Sequence, residues 1–462
     1  MPRPAVDPPL PDRAIRDEAY QQALAYLYGF SPLARPAPDI LQDRPRKLPR
    51  MRDLLARLGN PHQRFSSVLV AGTKGKGSTA AMLDSMARAA GHSTGLYAQP
   101  HLHSWRERTR LSGRLIEPGE VVELTRVVRS AVEALERERP DLGPPTTFEV
   151  GTGLTFAAFA RHGLRLAVVE VGVGGSHDAT NVVEPSLVAL GPISYDHMAT
   201  LGSTLAEIAV EKAGLFRRNG LALVGFQPSE ALATVERIAC ERGTRLEVLG
   251  REWRWSGDDD RPACGRFTVN GPGVRFDHLA IPLLGRHQRD NATLAVAAAH
   301  ALGECGFSIS SDAVRRGLAE VVWPGRLQLL RRRPWLLVDG AHNRDSALRL
   351  VEALRECFAY RRLHLVLGMT EGKDLDGVLE ALLPAADSLV VSRSEHYRAC
   401  PLDVLATAAR SYGAEPRIEA EVGKAVGLAL TRADSDDLVC VTGSLFLVAE
   451  AIEATSGMRD EE

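Results

Sequence analysis

Ser66-Ser-Val-Leu-Val-Ala-Gly-Thr-Lys-Gly-Lys-Gly-Ser-Thr79 is the stretch from which the rest of the chain can be read. Its apolar start, Ser66–Ala71, predicts a buried strand, and Ser78–Ala90 predicts a helix that Gly91 stops. Between them lie three glycines and two lysines. A glycine-rich turn between a strand and a helix brings backbone N–H groups close to phosphate oxygens, and the helix N-terminus adds partial positive charge. Lys76 can then reach terminal phosphates, and Ser78 or Thr79 can hold Mg²⁺. The strict pattern GxxxxGK[ST] is not met, because Val70 stands in place of its first glycine and Gly77 separates Lys76 from Ser78. The competing reading is a plain turn with a surface lysine. The strand before it and the helix after it favour the phosphate loop.

Outward from this loop the same alternation recurs. Leu166–Val171, Leu187–Ile193 and Leu221–Phe226 read as apolar strands with helical stretches between several of them. That order predicts an α/β fold with a largely parallel sheet. A second unit starts near Trp323–Arg326, with strands at Trp335–Asp339, Leu363–Leu367, Ser388–Ser392 and Leu438–Val441. Helices are expected at Arg344–Phe358, Leu375–Leu383, Leu402–Ala409, Val422–Leu430 and Leu445–Ala454. The expectation is a doubly wound N-terminal domain, residues 1–322, followed by a smaller doubly wound domain, residues 323–462. At 462 residues and about 150 per domain, two or three domains fit. Trp253–His278, rich in Gly, Asp and aromatics, is expected to form short antiparallel strands. Five prolines in the first eleven residues make residues 1–20 a loose leader in this reading.

Composition removes several classes. Apolar residues are 45% and charged residues 25%, the balance of a soluble globular protein. No run approaches the roughly 18 apolar residues of a membrane span, and the N-terminus lacks the apolar segment of a secretory signal. Fifty-six Lys+Arg against 58 Asp+Glu leave a net charge of −2, without the basic excess of a nucleic-acid protein. Cys240, Cys264, Cys305, Cys357, Cys400 and Cys440 are widely spaced and form no CxxC. They are expected as buried free thiols in a reducing cytoplasm, not as a disulfide framework.

Three further segments end predicted strands: Glu170-Val-Gly-Val-Gly-Gly175, Asp178-Ala-Thr-Asn181 and Tyr195-Asp-His-Met198. Ligands of open α/β sheets gather at such ends. Glu170 and His197 could thus meet the phosphate loop and suit a divalent ion. The plainer alternatives are an ion pair for Glu170 and an ordinary loop histidine for His197. Lys212 shares a helical face with Leu205, Ile208 and Ala209, a setting that lowers a lysine pKa. The alternative is a lysine that snorkels to solvent. In the second unit Asp339-Gly-Ala-His-Asn343 and Gly443-Ser444 follow strands, and His287, Gln288 and Asn291 open an alanine-rich helix. These are candidate ligand contacts, with helix capping the alternative for Asn343 and Ser444.

Taken in order, GNPHQRF (59–65), VAGTKGKGST (70–79), PHL (100–102), RERTRLSG (106–113), TTFE (146–149), EVGVGG (170–175), DATN (178–181), DHMATLGSTLAEIAVEKAG (196–214), LLGRHQRDNA (283–292), WPGR (323–326), DGAHN (339–343) and TGSLFLVAE (442–450) resemble the folylpolyglutamate synthase and dihydrofolate synthase family of Mur-type ATP-dependent amide ligases. The likeness runs from about Leu58 to Glu450. It implies a P-loop ATPase domain, a Rossmann-like C-terminal domain and a site in the cleft between them. It implies ATP and Mg²⁺, at two metal sites, and an acyl phosphate formed on a folate-type carboxylate that the amine of glutamate then attacks.

The resemblance also implies roles. Gly72, Thr73, Lys74, Gly75, Lys76, Gly77, Ser78 and Thr79 would bind ATP, joined by Asn291, Arg326 and Asp339. Ser78, Gln99, Glu170 and His197 would hold metal, and Lys212 matches a lysine carbamylated in the family, whose carbamate holds a second Mg²⁺. Lys76, Lys212 and His342 would carry the chemistry. His342 and Ser444 would meet glutamate, and Thr147, Phe148 and Asp178 the pterin-bearing substrate. Four positions depart from the commonest pattern: Lys74 for Asn, Gln99 for Ser, Ser176-His177 for Arg-Leu, and Arg344 for Pro. A ligase acting on a non-folate carboxylate is the second reading, and a P-loop NTPase or phosphotransferase the third. Small molecules are the expected partners of a monomer, with no nucleic acid and no membrane.

Overall fold

The computed structural model describes residues 9–30, 40–258 and 264–456. Ser66–Ala71 lies inside an eight-stranded sheet of order Arg114–Leu115, Thr109–Leu111, Thr94–Tyr97, Leu166–Glu170, Ser66–Ala71, Pro185–Leu190, Leu221–Val224, Arg245–Val248. Its first two strands form an antiparallel edge, and the other six run parallel. Val68, Leu69, Val70 and Ala71 are all fully buried. Leu69 and Ala71 enter the core on one face, Val68 and Val70 the core on the other. That is the period of two expected of a strand covered on both sides. Because the chain goes from this strand to Thr94–Tyr97 on one side and later crosses from Leu166–Glu170 to Pro185–Leu190 on the other, the sheet has its switch point beside the phosphate loop.

The helix after the loop, Lys76–Ala89, is buried over most of its length. It packs between the sheet and the helices Arg286–Ala301 and Ser311–Ala319. Gly317 permits the close approach, since a Cβ there would run into the Met86 backbone. Arg254–Gly257, Phe267–Gly271 and Val274–Leu279 form the expected antiparallel sheet, which packs Phe267 and Phe276 against the same core.

The third sheet has the order Gln328–Arg332, Trp335–Asp339, Leu438–Thr442, Leu363–Leu367, Ser388–Val391, Arg417–Ile418. Only its first strand is antiparallel. Leu337 faces one core and Leu336 and Val338 the other.

Two expectations are corrected. Residues 1–20 are not a loose leader throughout. Asp12–Ala14 forms a 3₁₀ turn and Glu18–Tyr28 a helix, with Tyr20 fully buried. The Asp12 carboxylate accepts from Tyr20 Oη at 2.7 Å, Ser104 Oγ at 2.7 Å and the Trp105 amide at 2.8 Å, which ties the segment to the sheet's rim. Residues 1–8 lie outside the described residues. Nor are the cysteines all buried thiols: Cys264 and Cys357 are disulfide-bonded, Cys240 and Cys305 are exposed, and only Cys400 and Cys440 are both free and buried. The pair had no local spacing to announce it, because its partners, in a turn and at a helix end, are 93 residues apart in sequence. Among the described residues no helix is long and apolar enough to cross a membrane.

Candidate active site

A cavity of about 560 Å³ opens where the carboxyl ends of the large parallel sheet and the six-stranded sheet face each other. On one side is the phosphate loop. Gly72 and Gly75 have φ of 134° and 76°, values that favour glycine. A side chain on Gly75 would also collide with the Asn291 amide. Gly75 is the N-cap of the helix and supplies no side-chain cap, so amides of the first turn are available to an anion. The helix begins at Lys76, two residues before the sequence reading. Lys76 Nζ donates to the carbonyls of its own loop, Gly72 at 3.2 Å and Thr73 at 3.4 Å. Ser78 lines the cavity, while Thr79 Oγ1 is buried behind it with no partner.

Glu170 ends its strand beside this helix, and its buried carboxylate accepts from the Gln99 amide at 3.1 Å. Burial raises its pKa, against the pull of Lys76. No ion pair to Glu170 occurs among the described residues, so the plainer reading fails for it. Gln99 lines the cavity, with Nε2 buried and unpartnered. His197 also lines it, in the left-handed region at φ 51°, its side chain 47% exposed. Burial lowers its pKa, opposed by Asp196.

Lys212 does not snorkel. It is 3% exposed, and Nζ donates to the Gly72 carbonyl at 2.9 Å. Burial, with Lys76 adding to it, brings its pKa down to about 7. A pocket of about 30 Å³ joins Lys212 to Lys76, Asp196 and His197.

The opposite wall belongs to the six-stranded sheet. Asp339 accepts from the amides of Leu327 at 2.8 Å and Ala341 at 2.9 Å. Burial raises its pKa while Arg326 lowers it. His342 Nδ1 donates to the Gly340 carbonyl at 2.8 Å. Burial, then Lys74, takes its pKa down to about 3. The ring is therefore neutral, with Nε2 an acceptor. Asn343 and Ser444 both cap helices, as the alternative had it, yet Ser444 also lines the cavity.

The cavity thus gathers Thr73 through Ser78, Gln99, Glu170, His197, Asn291, Arg326, Asp339, His342 and Ser444. Gly72 and Lys212 border the small pocket. Thr147, Phe148 and Asp178 are not in its wall. The Phe148 ring and the Asp178 carboxylate converge behind Gly172, where a Cβ would meet both. Asp178 is spent on the Val173 and Thr180 amides and the Thr180 hydroxyl. Thr147 Oγ1 is buried without a partner. Sequence reasoning missed Asp196, Lys373 and His396, which line the cavity. His396 stacks on Phe446 with centroids 3.7 Å apart. A charged residue beside His197 at a strand end was the available signal for Asp196. No periodicity marks the other two.

No three His, Cys, Asp or Glu side chains converge as a ready-made metal cluster among the described residues. The donors that are present fit Mg²⁺ nonetheless. A buried, ion-pair-free carboxylate at Glu170 and a hydroxyl at Ser78 are oxygen ligands, and Mg²⁺ takes its remaining positions from water and phosphate.

Residues 125–299 match the Mur ligase middle domain and residues 325–445 the Mur ligase, glutamate ligase domain. The dihydrofolate synthase/folylpolyglutamate synthase of Bacillus subtilis (strain 168) is 31% identical over 439 residues, covering 94% of this chain and 98% of that protein. The structure of Mycobacterium tuberculosis folylpolyglutamate synthase complexed with ADP superposes with a TM-score of 0.87 at 31% identity, over 96% of this chain and 99% of the other. That of E. coli FolC in complex with DHPP and ADP gives 0.83 at 30% identity, over 96% and 98%. With both Mur ligase domains in sequence and near full-length likeness to these proteins, the chain belongs to the folylpolyglutamate synthase and dihydrofolate synthase family of Mur ligases.

Proposed function

We propose that this chain joins L-glutamate to a folate-type carboxylate at the expense of ATP. One observation carries the reading: a single cavity takes Lys76 and the phosphate loop from one sheet and Asp339, His342 and Ser444 from the other. A simple NTPase would need only the first set. The related structures, one holding ADP and one holding DHPP and ADP, support the same assignment of substrates.

A carboxylate is a poor electrophile, so its oxygen first takes the γ-phosphoryl group and ADP leaves. The glutamate amine then adds to the acyl carbon, phosphate departs, and an amide remains. Catalysis of this kind is mostly positioning and charge stabilisation. Gly72 and Gly75 shape the loop, Gly77 and Thr79 stand in the first turn of the helix, and Thr73, Lys74 and Lys76 face the phosphates. Asn291, Arg326 and Asp339 hold the nucleoside side. Neutral His342 and Ser444, which line the same cavity, contact the incoming glutamate, with His342 Nε2 a hydrogen-bond acceptor for its amine. Phe148 and Asp178 support the pterin side from behind Gly172, and Thr147, beside Phe148 in the chain, belongs to the same side. Ser78, Gln99, Glu170 and His197 would hold one Mg²⁺, and a carbamate on Lys212 a second. Such ions neutralise the charge of the transferring phosphoryl group. Residues 1–322 and 323–462 act as the two domains that close on these substrates, within a monomer.

The test offers ATP, Mg²⁺ and glutamate with dihydropteroate and reduced folates separately, and reads products by mass spectrometry. The expected result is a mass gain of one glutamyl residue together with ADP release that needs both glutamate and acceptor. ADP release that needs neither would favour the NTPase reading.

A further inference from the structure

Asp196 stands in the loop after Pro185–Leu190, beside His197. Its side chain is only 17% exposed. Oδ2 accepts from Lys74 Nζ of the phosphate loop at 2.8 Å. Oδ1 lies 3.7 Å from Lys373 Nζ and also accepts from the His197 amide at 3.0 Å. Lys373 comes from the other side of the cavity, in the turn between the strand Leu363–Leu367 and the helix Leu375–Leu382. All three residues line the cavity. Other ion pairs between the two sides, such as Arg13 with Glu395 and Glu453, lie outside it.

The charges explain why a carboxylate is needed here. Lys74, Lys76 and Lys373 bring three ammonium groups to one end of the cavity, and Lys74 and Lys373 would repel each other without a counter-ion between them. Burial opposes ionisation of Asp196, yet Lys74 and then Lys373 hold it well below the usual carboxylate range. An ammonium has three N–H donors, so each lysine keeps donors for an incoming anion after pairing with Asp196.

We propose that Asp196 is a positioning residue for the phosphoryl-transfer end of the site: its carboxylate clasps Lys74 of the phosphate loop and Lys373 of the opposite sheet, aiming both ammonium groups at one anion. The proposal rests on the ligase reading of the cavity.

Two measurements test it. The first is a double-mutant cycle in kcat with Asp196→Asn and Lys373→Met. Each single change should lower kcat about tenfold or more, with KM for ATP within about threefold of wild type. The double variant should be no worse than the poorer single, because both break one unit, and Lys373→Arg should recover most of the rate. Losses that multiply, or a normal kcat in either single variant, would overturn the clasp. The second reads no reaction at all. Limited acetylation followed by peptide mass spectrometry should show Lys373 reacting at least about threefold faster in Asp196→Asn, while exposed Lys424 is unchanged. An unchanged Lys373 rate would also overturn it. A wild-type protein that makes no glutamyl product would refute the ligase reading, and the acetylation result would still decide whether the clasp exists.

Discussion

Lys212 keeps its nitrogen 2.9 Å from the Gly72 carbonyl and away from solvent. With its pKa brought down by burial to about 7, a large share of the amine is neutral at that pH, and the neutral amine is the form that reacts with carbon dioxide. Activity limited by this step should rise as pH increases through about 7. Lys212→Ala should be nearly inactive and partly restored by a small added carboxylate; pH–rate profiles in controlled bicarbonate check both. Stability of the unmodified apoprotein follows a linked course. The unfolded lysine stays protonated to about 10.4, so between the two values the unfolded chain binds more protons and stability rises with pH. Below about 7 the buried ammonium is a constant burden, and Lys212→Met should raise Tm most there. Lys76→Ala should cut turnover about 10²-fold or more with the fold intact by circular dichroism, since it removes the charge proposed to face the transferring phosphoryl group. Gln99 offers a milder test. Gln99→Leu should raise the Mg²⁺ concentration required for half-maximal rate, and Gln99→Ser less so, because a hydroxyl restores an oxygen ligand. Identical Mg²⁺ titrations would remove Gln99 from the proposed metal site.

At the scale of elements, the turn at Gly75 joins backbone conformation to packing. Its φ of 76° costs an L-residue such as alanine roughly 1–2 kcal/mol, and a methyl group would strike Asn291 as well. Gly75→Ala should therefore lower Tm and weaken nucleotide binding. Adding Asn291→Ala should relieve the collision without removing the backbone cost, so calorimetry should recover only part of the lost stability. The elements themselves were largely readable. Trp335–Asp339 and Leu363–Leu367 match their predicted limits because short apolar runs flanked by polar residues mark a buried strand directly. Lys212 could be singled out because one lysine interrupts an apolar helical face. The Asp12–Tyr20 anchor could not, since five prolines stand just before it and its partners, Ser104 and Trp105, are some 90 residues away. The junction of Lys74, Asp196 and Lys373 escaped for the same reason: three loops meet there, and none has a period.

At the scale of the molecule, the small antiparallel sheet and the unit built on the six-stranded sheet are joined by more than the chain. Cys264 precedes the strand Phe267–Gly271 and Cys357 ends the helix Arg344–Cys357, and the bond between them spans 93 residues of sequence. In the chain-entropy account a loop of that length contributes about 4–5 kcal/mol, so dithiothreitol should lower Tm by several degrees. A Cys264→Ser variant should melt at the lower temperature with or without reductant. The ion pair Arg286–Glu356 at 2.7 Å lies alongside the bridge but is too exposed to replace it after reduction. The same bond also changes the molecule's covalent topology. Asn291, Arg326, Asp339 and His342 all lie within the ring it closes. A protease that cuts once between Gly265 and Glu356 would leave a single band on a non-reducing gel and two on a reducing one. A fragment map made only without reductant would miss every such cut.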